Sequence, residues 1–231
     1  MKRTGLYVLA LVCALTLGCS NNRRDAAANA PAGSPGAVGT AGASDVSRGD
    51  KTFVHDIAGM NMAEIELSRV AAEKSASADV KSFARKIVDE HTAAGDKLKS
   101  IASQYSIDVP TALSDKDRDR TDKLASKQGL DFDRDYVDAI INGHDDFVNK
   151  LESRVDKETL GKWKAETPAP PRPGGPTVEE RCHTVVILPE KSDNPVTQSI
   201  NQWAADTYPA ATMHLDRAKA LKDSLKKRST D

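Results

Sequence analysis

Aromatic residues are scarce in this chain. They make up 4% of its 231 residues, so a core has to be built from Leu, Ile, Val and Ala. Neither sign of charge dominates, because 33 Lys and Arg stand against 34 Asp and Glu. A chain so balanced lacks the basic face that nucleic acid requires, and no nucleic acid is expected as a partner. There is no G-x-S-x-G, no Cys-x-x-Cys and no Gly-rich phosphate loop. Nucleophilic and phosphate chemistry therefore have no visible machinery, and no enzymatic role is read. Long apolar runs are missing too. Leu6 to Leu17 falls short of the ~20 residues that a membrane-spanning helix needs.

That run has a different use. Lys2 and Arg3 precede it, and it ends in LTLGC, Leu15 to Cys19. This looks like a bacterial lipobox, with small and apolar residues, then Gly, then the Cys that takes lipid. Residues 1–18 are thus expected to be a lipoprotein signal peptide, with Cys19 acylated (palmitate among its chains) and membrane attachment made through that lipid. Cys13 follows Val12 rather than a small residue and does not compete. Ser20 is not Asp, which by the known bacterial sorting rule favours the outer membrane, facing the periplasm. Residues 19–49 are rich in Ala, Gly, Pro, Ser and Asn. They read as a flexible linker with a reach of roughly 30 Å. The remaining thiol, Cys182, has no intrachain partner. It adjoins His183, but neighbours on a strand point to opposite faces, and no reactive pair is read there.

Helical periodicity begins near Asp50. Phe53, Ile57, Met60, Glu64, Leu67 and Ala71 make one seam at alternating spacings of four and three, over about Asp50 to Lys74. Val80, Ala84, Ile87, His91, Ala94, Leu98, Ile101 and Tyr105 make a second, from an N-cap at Ser77. The short link between these helices predicts antiparallel packing. A charged helix over Ser114 to Gln128 follows, with a capping box at Ser114 and Asp117 and Gly129 placed to end it. A third long helix runs from an N-cap at Asp131 to Asp156, on the seam Val137, Ile140, His144, Phe147 and Leu151. Residues 157–192 then carry six of the eleven prolines and read as an insertion, with one candidate strand at Thr184 to Leu188. The last helix runs from Asn194 and Pro195 to about Arg228, with a kink expected at Pro209. The fold class is all-α, a four-helix bundle spanning 50–228 with a Pro-rich insertion before the last helix.

Two segments echo each other. Phe83, Ile87, Val88, His91, Lys97 and Leu98 match Tyr136, Ile140, Ile141, His144, Lys150 and Leu151 at identical spacing. These helices, with GMNMAEIELSRVAAEK (Gly59 to Lys74), VKSFARKIVDEH (Val80 to His91), LDFDRDYVDAIINGH (Leu130 to His144) and TYPAATMHLDRAKAL (Thr207 to Leu221), resemble a family of bacterial envelope proteins, domain of unknown function 4142. The resemblance covers 50–156 and 193–225. It implies a ferritin-like up-down four-helix bundle outside the cytoplasm, often labelled an outer-membrane protein, and no established activity. The Pro-rich insertion departs from the compact family pattern.

One polar residue interrupts each long seam: Glu64, His91, His144 and His214. A buried polar group without a partner costs ~1–3 kcal/mol. These four are therefore expected to form an inward layer, satisfying one another, the Ala205 carbonyl freed by Pro209, a water or a metal. Three imidazoles and a carboxylate suit zinc, copper or another first-row ion. The Glu-x-x-His pairs of ferritin di-iron sites are absent, since Val88, Ile141 and Ala211 stand three residues before the histidines. The expected function is that of a lipid-anchored cell-envelope protein whose bundle is a structural or interaction module, its protein partner unknown. The alternative is a metal- or small-ligand-binding bundle that uses the His/Glu layer.

Overall fold

The computed structural model describes residues 46–166 and 185–228. Residues 1–18, Cys19 and most of the 19–49 linker lie outside these, as do Cys182 and His183. The described residues form six helices: α1 (Arg48–Lys74), α2 (Ala78–Gln104), α3 (Asp115–Ala125), α4 (Gly129–Glu152), α5 (Lys157–Glu166) and α6 (Pro195–Lys227). None is long and apolar enough to cross a membrane.

The helix starts follow from capping. The Ser77 hydroxyl accepts from the Val80 N–H, and the Asn194 carboxamide accepts from Val196 and Thr197, with Pro195 in the first turn. Ser47 caps α1, so that helix begins before Asp50. At the third long helix, α4, the sequence reading needs correction. Gly129 does not end α3; it opens α4 at φ +59, and Gln128 rather than Asp131 is its N-cap. A positive φ at that sharp entry suits a residue without Cβ. At the other end, α6 continues through Pro209 as one helix.

The four long helices form a ring in which α1 packs on α2 and α4, and α6 packs on the same two. Side-chain bonds give their directions. Ser75, just past α1, donates to Asp133 near the start of α4 at 2.5 Å. Arg154, just past α4, meets Asp50 near the start of α1 at 2.5 Å. Tyr105 after α2 bonds Ser199 early in α6 at 3.2 Å, and Arg134 early in α4 donates to the Leu225 carbonyl late in α6 at 3.1 Å. Every ring neighbour is therefore antiparallel, and α2 and α4 are parallel on the diagonal. The chain cannot make that connection by a tight turn. Residues 105–128 climb the bundle, with α3 packed on α1 and α4. The simple alternating up-down order is thus replaced by one long crossover, the kind of connection that ferritin-like bundles carry.

The seam residues fill the centre. Ile57, Leu67, Ala84, Ile87, Leu98, Val137, Ile140, Phe147 and Leu151 are all buried. The supposed insertion departs most from expectation. Its first ten residues are α5, which buries Leu160 and Trp163, and Trp163 sets its ring edge-on to Tyr208 at 5.4 Å. No strand is found among the described residues. Instead an isolated antiparallel bridge joins Val155 to Pro189, and it places Ile187 in the core.

Candidate metal centre

At mid-height the bundle core turns polar. Glu64 on α1, His91 on α2, His144 on α4 and His214 on α6 are all buried, His144 completely. Each sits on the inward stripe of its helix, between apolar neighbours one turn away, so the packing that buries Ile87 or Ile140 also buries the imidazole beside it. The three rings face one another. Their centroids are 5.1 Å apart for His91 and His144, and 5.4 Å for each with His214. Phe147 lies 5.8 Å from His91 and 6.3 Å from His144, and Phe83 lies 6.4 Å from His214. These aromatic rings flank the layer.

The polar atoms do not satisfy one another by hydrogen bonds. Glu64 places one oxygen 3.1 Å from Nδ1 of His144 and the other 3.3 Å from Nδ1 of His91. These pairs are close yet out of line, and both Glu64 oxygens are without an aligned donor. Nδ1 of His91, Nδ1 and Nε2 of His144 and Nδ1 of His214 are likewise buried and unpartnered within the protein. The closed hydrogen-bonded layer considered from the sequence is not formed. The Ala205 carbonyl does not take up any of these nitrogens.

Electrostatics favour the forms that bind metal. Burial pushes the His91 imidazole down to about 3, so it is neutral, and burial also holds His214 below the usual range. Burial pushes the Glu64 carboxyl up; positive charge on His144, His91 and His214 and the close approach of His144 lower it below its ordinary value, and rings that burial keeps neutral withdraw that charge. A neutral imidazole beside an ionised carboxylate is the donor state that a cation needs. One ring nitrogen from each of the three histidines can be chosen so that all lie within 4.8 Å of one another. Tetrahedral ligands at zinc are separated by about 3.3 Å, from bonds of ~2.0 Å. Each nitrogen would move by less than about 1 Å to grip an ion, within reach of small rotamer changes. Glu64 lies beside this set, with a different oxygen toward each of His91 and His144.

Three residues that support the layer were missed in the sequence. Glu90 accepts a 2.7 Å bond from Nε2 of His214, which holds its own carboxyl down to about 2. Asn61 donates to the His91 carbonyl at 3.0 Å and locks α1 to α2 at this level. Gly143 lies under Glu64; a Cβ there would overlap Oε1 and sit 3.3 Å from Cδ. A glycine inside a helix costs about 1 kcal/mol against Ala, which was the available signal that this one serves packing. Glu90 gave none, being one position off the seam.

Fold and site together define a helical bundle with a buried histidine layer. A family model matches residues 35–165, over more than half of the chain, so the chain belongs to the family described as a domain of unknown function, DUF4142. The match includes Glu64, His91 and His144 and stops short of α6. No curated protein and no solved structure matches.

Proposed function

We propose that this protein is a lipid-anchored cell-envelope component whose bundle binds one divalent first-row transition ion, zinc or copper(II), through His91, His144 and His214, with Glu64 beside them. The observation that carries the reading is the convergence of six buried, unpartnered polar atoms from three imidazoles and one carboxylate. A core serving only as a scaffold would be more stable with apolar residues at these places, since each orphaned group costs ~1–3 kcal/mol. A cation would engage one nitrogen from each imidazole, with Glu64 beside them. Nitrogen and oxygen donors without sulfur suit zinc and copper(II) rather than copper(I). This reading is the alternative that the sequence sets beside a structural or interaction module.

The test is elemental analysis and calorimetric zinc and copper titration of the purified, tag-free protein, beside His91→Ala/His144→Ala. One ion per chain, lost in the double variant, is the expected result. No bound metal and no difference in heat would end the proposal. The anchor rests on Leu15 to Cys19 and is tested separately. Cys19→Ala should leave the membrane fraction, since acyl chains contribute ~0.8 kcal/mol per methylene. A variant that stays with membranes after a salt wash would refute anchoring at Cys19.

A further inference from the structure

Glu90 places a carboxylate on the outer side of His214. Glu90 is one residue from His91 in sequence, but it points away from the layer, toward the edge of α6. Its Oε2 lies 2.7 Å from Nε2 of His214, and its Oε1 lies 2.6 Å from the ammonium of Lys86, one turn back on α2. Glu90 is 36% exposed in its side chain, whereas His214 is 2% exposed. The pair therefore runs from the surface into the core.

We propose that Glu90 is the positioning residue of the metal centre: it fixes His214 as the Nε2–H tautomer and so commits Nδ1 to be the nitrogen offered to the ion. The inference rests on the metal-binding reading above. An ionised carboxylate only accepts hydrogen bonds, so at 2.7 Å the proton belongs on Nε2. A neutral ring with its proton there carries a lone pair on Nδ1. That atom is buried and has no partner within the protein. Lys86 holds Glu90 from its other oxygen, which keeps the carboxylate from swinging away into solvent. Nδ1 is left over on His91 as well, and both ring nitrogens on His144; the two Nδ1 atoms face Glu64 at 3.3 and 3.1 Å. The two carboxylates thus divide the work. Glu64 faces the site, and Glu90 grips one ligand from behind. A carboxylate behind a ligating imidazole makes it more basic and orients it, and removing such a partner lowers metal affinity by about 10–100-fold.

Two measurements test this. Long-range nitrogen–proton NMR of the metal-free protein reads the tautomer of His214 without any substitution, and should find the proton on Nε2. Zinc competition titrations then compare the unaltered protein with Glu90→Gln and Glu90→Ala. Glu90→Ala should still bind one zinc, about 10–100-fold more weakly, and Glu90→Gln should fall between, because it keeps an acceptor and loses the charge. Addition of zinc should move the Nδ1 resonance of His214 and not remove the Nε2 proton. A proton on Nδ1 in the unaltered protein, or full affinity in Glu90→Ala, overturns the role of Glu90 and leaves the metal site standing. An unaltered protein that binds no zinc overturns the metal reading and this role with it, whatever the tautomer.

Discussion

Replacing Gly143 by Ala sets two effects of opposite sign against each other. Ala is the better helix former by about 0.8–1 kcal/mol, and Gly143 lies inside α4, so propensity alone makes Gly143→Ala stabilising. The structure argues otherwise. The added Cβ would overlap Glu64 Oε1 and crowd Cδ at 3.3 Å and Cγ at 3.6 Å. A flexible surface glutamate would simply swing aside. Glu64 is 5% exposed in its side chain and lies between His91 and His144, so its displacement disturbs the whole layer. Overpacking of this kind costs ~1–3 kcal/mol. The expected net effect is a loss of about 1 kcal/mol, together with weaker zinc binding. The decisive control is Glu64→Ala, which removes the obstructing carboxylate. In that background Gly143→Ala should gain about 1 kcal/mol, so the sign reverses and the coupling is about 2 kcal/mol. Urea denaturation of the four proteins measures it. Equal effects of Gly143→Ala in both backgrounds would show that Glu64 does not lie over this glycine.

Three further outcomes follow from the same geometry. Metal-free protein should weaken in acid: His91 sits at about 3 in the fold against an ordinary 6.5, so the unfolded chain takes up the proton first and stability is lost as pH falls below 6.5. At pH 5.5 the loss from this group is about 1.4 kcal/mol, and a urea midpoint that holds steady from pH 7.5 to 5.5 would contradict it. Trp163→Ala should cost ~3–5 kcal/mol although the residue lies in the segment that the sequence marks as an insertion; an unchanged thermal melt would place α5 outside the core. Zinc should leave slowly, because the residues around it are 4% exposed or less and the bundle must open locally to release it. Its transfer to an excess of chelator should therefore run at a rate independent of chelator concentration, and a rate that rises in proportion would mean that the site is open.

The four seams were legible because helical burial has a period, and a polar residue on an apolar stripe is visible as an interruption. That is why the sequence alone brings Glu64, His91, His144 and His214 together. Neighbours whose role depends on a second helix were not legible in this way. Glu90 meets His214 only because α2 packs against α6, and nothing in DEH, Asp89 to His91, says which of its acids will turn toward another helix. Trp163 and Ile187 were hidden by the prolines around them, since periodicity fails in a segment that contributes single anchors to the core instead of a stripe. The topology was missed for a related reason. Short links predict antiparallel neighbours, but the link over residues 105–128 is long and fixes no direction.

The internal echo contained the missing information, although it could be read only in retrospect. Equal spacing from an aromatic residue to a histidine brings both pairs level only if the two helices run the same way. Antiparallel helices that share the histidine level would carry Phe83 and Tyr136 to opposite ends. With α2 and α4 parallel, the two aromatics lie on the same side of the layer, eight residues before His91 and His144 respectively. Both are buried, Phe83 against His214 and Tyr136 in a 2.9 Å bond to Ser68. The crossover through α3 and the repeated spacing are thus two aspects of one arrangement. It delivers two imidazoles from diagonal helices to the same height, where α1 adds the carboxylate and α6 adds the third ring.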